Sequence, residues 1–274
     1  MTAPPRLSTV VLCSAGEWPA LERCLTAITA HPPRGGHEVI VVDNAAGVAA
    51  TVNERFPAVR VLVNAENAGV GPGRNQGLEV AGGRLLSVLD SDAYVSAGAL
   101  ETLCAFLEAN PTVGLVGPRL TYDDGSFQAS RRRLPSCLAV AANRVGALER
   151  VGRGAVDRYL MTGAPQDVTM EVDYVLGAAM VWRRPALPMR FAGIRYGFDD
   201  AEFCLRIRRD VGRVVWLPSA TVVHGYRRRT VGTPVSGMAV SLLSSYVGMR
   251  LRNLGRYRAG SRCGAPWLAP AEGA

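Results

Sequence analysis

Apolar residues in the first third of the chain come in short unbroken runs. "STVVLC" (8–13), "EVIVVD" (38–43), "VRVLVN" (59–64) and "RLLSVLD" (84–90) are too apolar for a half-exposed sheet and predict strands buried on both faces. Between them the spacing becomes helical. Pro19 opens a helix continued by "ALERCLTAITA", and further helices are predicted over 48–56, 71–81 and 97–109. Strands alternating with helices predict a parallel sheet covered by helices, an α/β architecture.

Beyond residue 121 the texture changes. "YDDGSFQASRRRLPS" is turn-rich and basic, and residues 139–170 carry weak helical periodicity with no clear strand. "VDYVLGAAMVWRR" (172–184) predicts a strand, "GFDDAEFCLRIRR" (197–209) a helix, and "RVVWLPSATVVH" (213–224) two short strands divided at Pro218. "GMAVSLLSSYVGMRLRNLGRYR" (237–258) predicts an apolar helix turning basic, followed by a Gly/Pro-rich tail expected to fray.

The 274 residues, 48% hydrophobic and 20% charged, suffice for one sizeable core. The net charge is +8, and all 31 basic residues are arginines. That surplus implies an anionic partner. No basic stretch interleaved with aromatics is present, so nucleic acid is not expected as that partner. Cysteines at 13, 24, 104, 137, 204 and 263 form no C-x-x-C pair, and with three histidines they predict reduced core residues rather than a zinc site. The first apolar run is too short for a signal peptide, and none reaches the roughly 18 residues of a membrane span. A cytoplasmic protein is expected.

"NAENAGVGPGRNQG" (64–77) superficially suggests a dinucleotide-binding loop. That fingerprint needs glycines at relative positions one, three and six, directly after the first strand. Counting from Gly69, position six is Arg74; counting from Gly71, it is Gln76. Pro72 also lacks an N–H where a pyrophosphate would need one. The loop does not bind NAD by this pattern.

Asp43 and Asp90 end apolar strands, where open parallel sheets bind ligands. With Asp92 in "LDSDAYV", they make a candidate site for a divalent cation and a phosphorylated ligand, since Mg2+ and Mn2+ accept carboxylates alongside phosphate oxygens and water. Asp-x-Asp alone is a weak signal, and Asp92 or Ser96 could equally cap the helix at 97.

The segments "EVIVVDNAA", the long run from "NAENAGVG" through "LDSDAYV" to "GLVGPRL", "DGSFQASRRRLPS", "EVDYVLGAAMVWRR", "FDDAEFCLRIRR" and "LPSATVVHG" follow one another in this order. Together, over roughly residues 7 to 254, they resemble the inverting family 2 glycosyltransferases of the GT-A fold, most closely the rhamnosyltransferase-like branch. The resemblance implies a Rossmann-like mixed sheet flanked by helices, with a donor-binding half (7–120) and an acceptor-side half (121–235) in one domain over 1–235. Residues 236–274 then form a C-terminal helix and flexible tail.

The resemblance also implies roles. Asp43, with Asn44 and Ser14, would lie at the base or ribose of a nucleoside-diphosphate sugar. Arg74 would reach the diphosphate, with the loop glycines admitting the backbone to the donor. Asp90 and Ser91 would hold ribose and metal, Asp92 would bind Mg2+ or Mn2+ directly, and His224 would be a further metal ligand. The second acid of the Asp199–Asp200 pair would deprotonate the acceptor hydroxyl, its neighbour supporting it. Tyr174 and Trp182 flank a segment beside the donor sugar and acceptor. One departure is the first-strand loop, Cys13-Ser14-Ala15-Gly16-Glu17, where relatives carry Thr-aromatic-Asn; it leaves the choice of nucleotide base open.

The expected function is metal-dependent, inverting transfer of a sugar such as L-rhamnose or another deoxyhexose to a hydroxyl. The acceptor would be a glycan, a lipid-linked glycan or a natural product. The basic C-terminal helix further implies peripheral contact with an anionic membrane. Two other readings are a binding protein of the same fold without catalysis and a nucleotidyltransferase; the latter predicts a Gly/Arg/Lys-rich first loop, which "CSAGEWP" is not.

Overall fold

In the computed structural model, described over residues 4–14, 18–143, 148–193, 197–225, 235–253, 255 and 263–267, the four predicted N-terminal strands all form. β1 (Leu7–Cys13) is flanked in parallel by β2 (His37–Asn44) and β4 (Leu85–Asp90), and β3 (Arg60–Asn64) lies outside β2. The intervening helices are α1 (Trp18–Ala30), α2 (Ala49–Arg55) and α3 (Val70–Val80); α4 (Ala99–Ala109) follows the short β5 (Ala93–Val95). Alternation along β1 sorts the core into two layers. Leu7, Val11 and Cys13 meet Leu21 and Leu25 of α1 and Leu103 of α4, while Val10 and Leu12 face α3 and Trp182 on the other side.

The sheet is not parallel throughout. Its order is β3-β2-β1-β4-β11-β6-β12-β5, with β11 (Ala179–Arg183) antiparallel between β4 and β6 (Val113–Thr121). β12 (Arg213–His224) pairs in parallel with β6 and antiparallel with β5. Strands from the second half are therefore built into the sheet of the first. This is the mixed, helix-flanked sheet expected of the GT-A fold.

Four differences from the sequence reading have physical causes. β6 is a central strand that "VGLVGPRLT" does not announce, because Gly114, Gly117 and Pro118 read as turn residues. Both glycines are demanded by packing: a Cβ on Gly114 would lie 2.8 Å from the Gly212 nitrogen, and one on Gly117 2.6 Å from Val175. Residues 213–224 form one strand, not two, and Pro218 is accommodated by a register irregularity between Leu217 and Thr221. "VDYVLGAAMVWRR" splits instead, giving β10 (Tyr174–Val175) in a separate small sheet and β11 in the main one. The turn-rich basic stretch supplies β7 (Phe127–Gln128), paired with β6, and β8 (Arg131–Arg132), paired with β10.

The weak helical signals over 139–170 become α5 (Cys137–Ala142) and α6 (Glu149–Leu160), ahead of the two-residue β9 (Met170–Glu171). α7 (Asp199–Asp210) and α8 (Val235–Arg252) follow as predicted in kind. The expected basic end of the last helix at Arg256 and Arg258, like Gly16 and Glu17 of the first loop, lies outside the described residues. Cys13, Cys24, Cys104, Cys204 and Cys263 are buried free thiols and Cys137 is exposed.

Candidate active site

Sheet register assembles the first group of side chains. β4 ends at Asp90, a turn carries Ser91 and Asp92, and β5 begins at Ala93, which pairs with His224 at the end of β12. The chain then reinforces this pairing, for the Gly225 N–H donates to the Asp92 carbonyl at 2.9 Å. One ligand atom each from Asp90, Asp92 and His224 lie within 4.8 Å of one another. His224 Nε2 is 3.4 Å from Asp92 Oδ1 and 3.9 Å from Asp90 Oδ2. Its other nitrogen, Nδ1, is 2.9 Å from Gln128 Oε1 on β7, an acceptor that holds Nδ1 protonated. Nε2 is thereby aimed at the carboxylates. Burial opposes charging this imidazole, but the Asp92 hydrogen bond and the charges of Asp90 and Asp92 prevail and raise its pKa.

Two carboxylates and an imidazole oriented by an amide are a chemically apt donor set for Mn2+, and less so for Mg2+. The carboxylates are about a third exposed, Asp90 34% and Asp92 29%, so room remains for the water and phosphate ligands such ions retain. Ser91, half-buried in the turn, stands beside them.

The second group belongs to the start of α7. Phe198 takes a left-handed conformation, φ 65°, and turns the chain into the helix, so that Asp199 and Asp200 fall in its first turn, where backbone N–H groups favour negative charge. Asp200 Oδ1 accepts from the Ala201 N–H at 2.7 Å, and Oδ2 from the Gly177 N–H at 3.2 Å. Burial, and then the charge of Asp199, push the Asp200 carboxyl up to about 6. Such a group is ionised at neutral pH yet basic enough to take a proton.

Arg74 joins the groups. Its guanidinium, buried on α3, donates from Nη2 to Asp90 Oδ1 at 2.7 Å and to the Gly177 carbonyl at 2.8 Å, and from Nη1 to Asp199 Oδ2 at 3.0 Å. The residue is 3% exposed, so this arginine is an internal strut, not the outward-reaching group its place in the motif suggested. It occupies one oxygen of Asp90 and leaves the other facing His224. Gly177 serves both sides, and no larger residue fits there: a Cβ would lie 2.8 Å from Arg74 Nη1.

The structure gives the loop glycines a different job from the one expected. Gly73 and Gly77 face the sheet, where a Cβ would lie 2.6 Å from Leu12 and 2.4 Å from Val10, and Gly71 abuts the Ala192 carbonyl. They bring α3 close to β1, which is what delivers Arg74 to the strand ends.

Asp43 and Asn44, expected at the nucleotide, are 1% and 0% exposed. Asp43 accepts four backbone N–H bonds, from Ala46, Gly47, Val48 and Ala49, and so ties down the β2–α2 turn. Asn44 donates to Ser14, Asn67 and Gly69 and accepts from Asn64 and Ala68. Both brace the loops after β2 and β3 from within, and Ser14 is held through Asn44. Tyr174 and Trp182 are likewise core: Tyr174 O–H bonds Tyr159 O–H at 2.7 Å, and Trp182 packs edge-on to Phe191 and Phe203. Neither ring presents a face to a sugar, because β10 and β11 turn both inward. Gln128 and Gly177 were missed by sequence reasoning; both lie in motifs that carry the resemblance, but nothing local signals their role.

The family model for glycosyl transferase family 2 matches residues 9–165, more than half of the chain. The N-acetylglucosaminyl-diphospho-decaprenol L-rhamnosyltransferase of Mycobacterium tuberculosis is 27% identical over 276 residues, covering 91% of this chain and 86% of that protein. Among solved structures, GalNAc-T7 with UDP, GalNAc and Mn2+ superposes with a TM-score of 0.66 at 16% identity, over 93% of this chain but half of that one. The mannosyltransferase PcManGT of Pyrobaculum calidifontis, in complex with GDP-Man and Mn2+, gives a TM-score of 0.61 at 21% identity, over 94% and 67%. These two likenesses establish the fold. With the family match over most of its sheet, the chain belongs to glycosyl transferase family 2 and is a glycosyltransferase.

Proposed function

We propose that the protein is a metal-dependent, inverting transferase that moves L-rhamnose or a similar deoxyhexose from a nucleoside-diphosphate sugar to a hydroxyl of a lipid-linked glycan. The observation that carries this reading is a carboxyl raised to about 6, Asp200, set beside a separate Asp90–Asp92–His224 cluster: one buried arginine, Arg74, bonds Asp90, Asp199 and the Gly177 carbonyl, and the Gly177 N–H holds Asp200. The similarity to a mycobacterial rhamnosyltransferase along nearly the whole chain supports the choice of sugar and of acceptor class.

In the reaction Asp200 takes the proton of the acceptor hydroxyl as its oxygen forms a bond to the anomeric carbon. The bond from that carbon to the diphosphate oxygen breaks on the opposite face, and the electron pair leaves with the diphosphate. A metal held by Asp90, Asp92 and His224 would stabilise the charge of the departing diphosphate. Arg74 holds Asp90 and Asp199 at fixed separation, and Gly177 holds Asp200. A catalytically inert binding protein would have no use for a base so poised.

Incubating the protein with a panel of nucleotide sugars, with Mg2+ or Mn2+ and after chelation, tests the reading. Metal-dependent turnover of a deoxyhexose donor, with proton NMR showing inversion in the glycoside, is the expected result. Retained configuration, or turnover indifferent to chelation, would overturn it.

A further inference from the structure

Arg132, within "SRRRLPS", is unused by the groups above. It lies on β8, where its backbone pairs with Tyr174 of β10, and β10 leads directly to Gly177, whose N–H holds Asp200. Its guanidinium stacks over the Tyr159 ring, 5.0 Å from the centroid, and its buried Nε has no hydrogen-bond partner. Among the described residues no carboxylate lies within ion-pairing distance of it. Its neighbours also lack a carboxylate partner among these residues but are otherwise engaged: Arg131, fully buried between Phe127 and Trp216, donates to the Ala164 carbonyl, and Arg133 donates to the Cys263 carbonyl. Arg132 is part-exposed, and it stays charged although burial opposes this, helped by Tyr159, Tyr174 and Asp200. Arg132 is thus a part-exposed cation with an unpartnered Nε and no carboxylate in contact, close enough to Asp200 to feel its charge, and it can take an anion from outside.

We propose that Arg132 binds a phosphate oxygen of the acceptor, so that the protein selects acceptors whose attacked sugar carries a phosphate or diphosphate. The inference rests on the transferase reading above. It extends that reading by assigning a side chain to the acceptor's anionic group, on the base side of the site and apart from the metal cluster that would meet the donor diphosphate. Arginine suits this task because its planar fork makes charge-assisted hydrogen bonds to phosphate.

The test compares two acceptors that differ in one feature: a short-chain alkyl diphosphate of N-acetylglucosamine and the corresponding alkyl N-acetylglucosaminide. For the wild-type protein the diphosphate acceptor should have the lower KM. Arg132→Gln should raise that KM about tenfold or more, the scale of a lost charge-assisted bond, and leave the KM of the phosphate-free acceptor unchanged. Arg132→Lys should recover part of the loss. Circular dichroism and thermal unfolding of both variants report folding, and calorimetry of the nucleotide with Mn2+ reports the donor site. Equal KM changes for both acceptors, or none, would overturn the inference, and so would weakened nucleotide binding, which would assign the anion to the donor. If the wild-type protein transfers to neither acceptor, the transferase reading itself fails and the inference falls with it.

Discussion

The two carboxylate groups of the site are built by different means. Asp90, Asp92 and His224 meet because an antiparallel strand register places His224 opposite Ala93, and the carboxylates stay about a third exposed. Asp199 and Asp200 meet the site because a left-handed Phe198 swings the first turn of α7 against Gly177, and Asp199 is only 13% exposed. The open cluster can exchange water for phosphate oxygens, whereas the drier pair has the surroundings that lift a carboxyl. One fold thus sets an open acid cluster beside a drier acid pair, with Arg74 bonded to one acid of each.

The largest break in that contrast is Asp200→Asn. It should lower kcat by about a hundredfold or more while nucleotide and Mn2+ binding stay intact by calorimetry. The wild-type acid limb should have its midpoint near 6 and vanish in the variant. Stability should move the opposite way. The folded pKa of Asp200 lies above the unfolded value, so the fold favours the protonated carboxyl; that stabilisation is full below the unfolded pKa and is lost as pH rises through about 6. Asparagine mimics the protonated form, and the variant should melt higher than wild type at pH 7 and no higher at pH 4. A variant less stable at pH 7 would show that Asp200 is not strained by burial.

Gly177→Ala attacks both groups at once. The added methyl would lie 2.8 Å from Arg74 Nη1, and the strut must shift or the β10–β11 turn must open. Overpacking of this kind costs about 1–3 kcal/mol. Transfer should fall about tenfold or more, with Mn2+ affinity and kcat both reduced, whereas Asp200→Asn spares the metal. A Gly177→Ala enzyme impaired in kcat alone would uncouple Arg74 from the metal cluster.

How legible these features are in the sequence depends on their range. β1 to β4 and the helices between them announce themselves because each is a local pattern of apolar runs and helical spacing. β6 does not, since its glycines are set by Gly212 and Val175, far along the chain. Asp92, Asp200 and His224 stand out through motif order, but motif order says nothing of burial. Hence Asp43 and Arg74 look like ligand contacts in the sequence and prove to be internal hydrogen-bonding centres. Gln128 is invisible for the same reason: its bond to His224 spans 96 residues.

That amide gives a gentler perturbation of the open cluster alone. Gln128→Leu removes the acceptor for His224 Nδ1 and frees the imidazole to turn or change tautomer. Mn2+ affinity should fall about tenfold, the lower end of what such supporting bonds contribute to a metal site. The acid limb near 6 should stay in place, since Asp200 is untouched. Unchanged metal affinity by calorimetry would show that His224 is oriented by its strand alone, or is no ligand.

The smallest effect is expected on the outward face of α8. Leu242, Tyr246 and Met249 bury one face of this helix, which Tyr246 fastens by donating to the Pro135 carbonyl and Arg252 by pairing with Glu202. On the other face Leu243, Val247 and Leu251 recur every fourth residue and are 48%, 45% and 60% exposed. Leu138 of α5 and Val151 of α6 are exposed as well, and α5 packs against α8. No helix among the described residues is long and apolar enough to cross a membrane. An apolar stripe with arginines near its end can instead rest on an anionic lipid surface. Flotation with vesicles containing anionic lipid should capture the protein, less at physiological than at low salt, because the basic contribution is screened. Val247→Asp with Leu251→Asp should reduce capture a few-fold and leave transfer to a short-chain soluble acceptor unchanged, since both side chains lie on the exposed face and the buried face keeps Leu242, Tyr246 and Met249. Flotation unaffected by both changes would place the membrane contact elsewhere, and no flotation at either salt would mean that a lipid-linked acceptor is met without the helix.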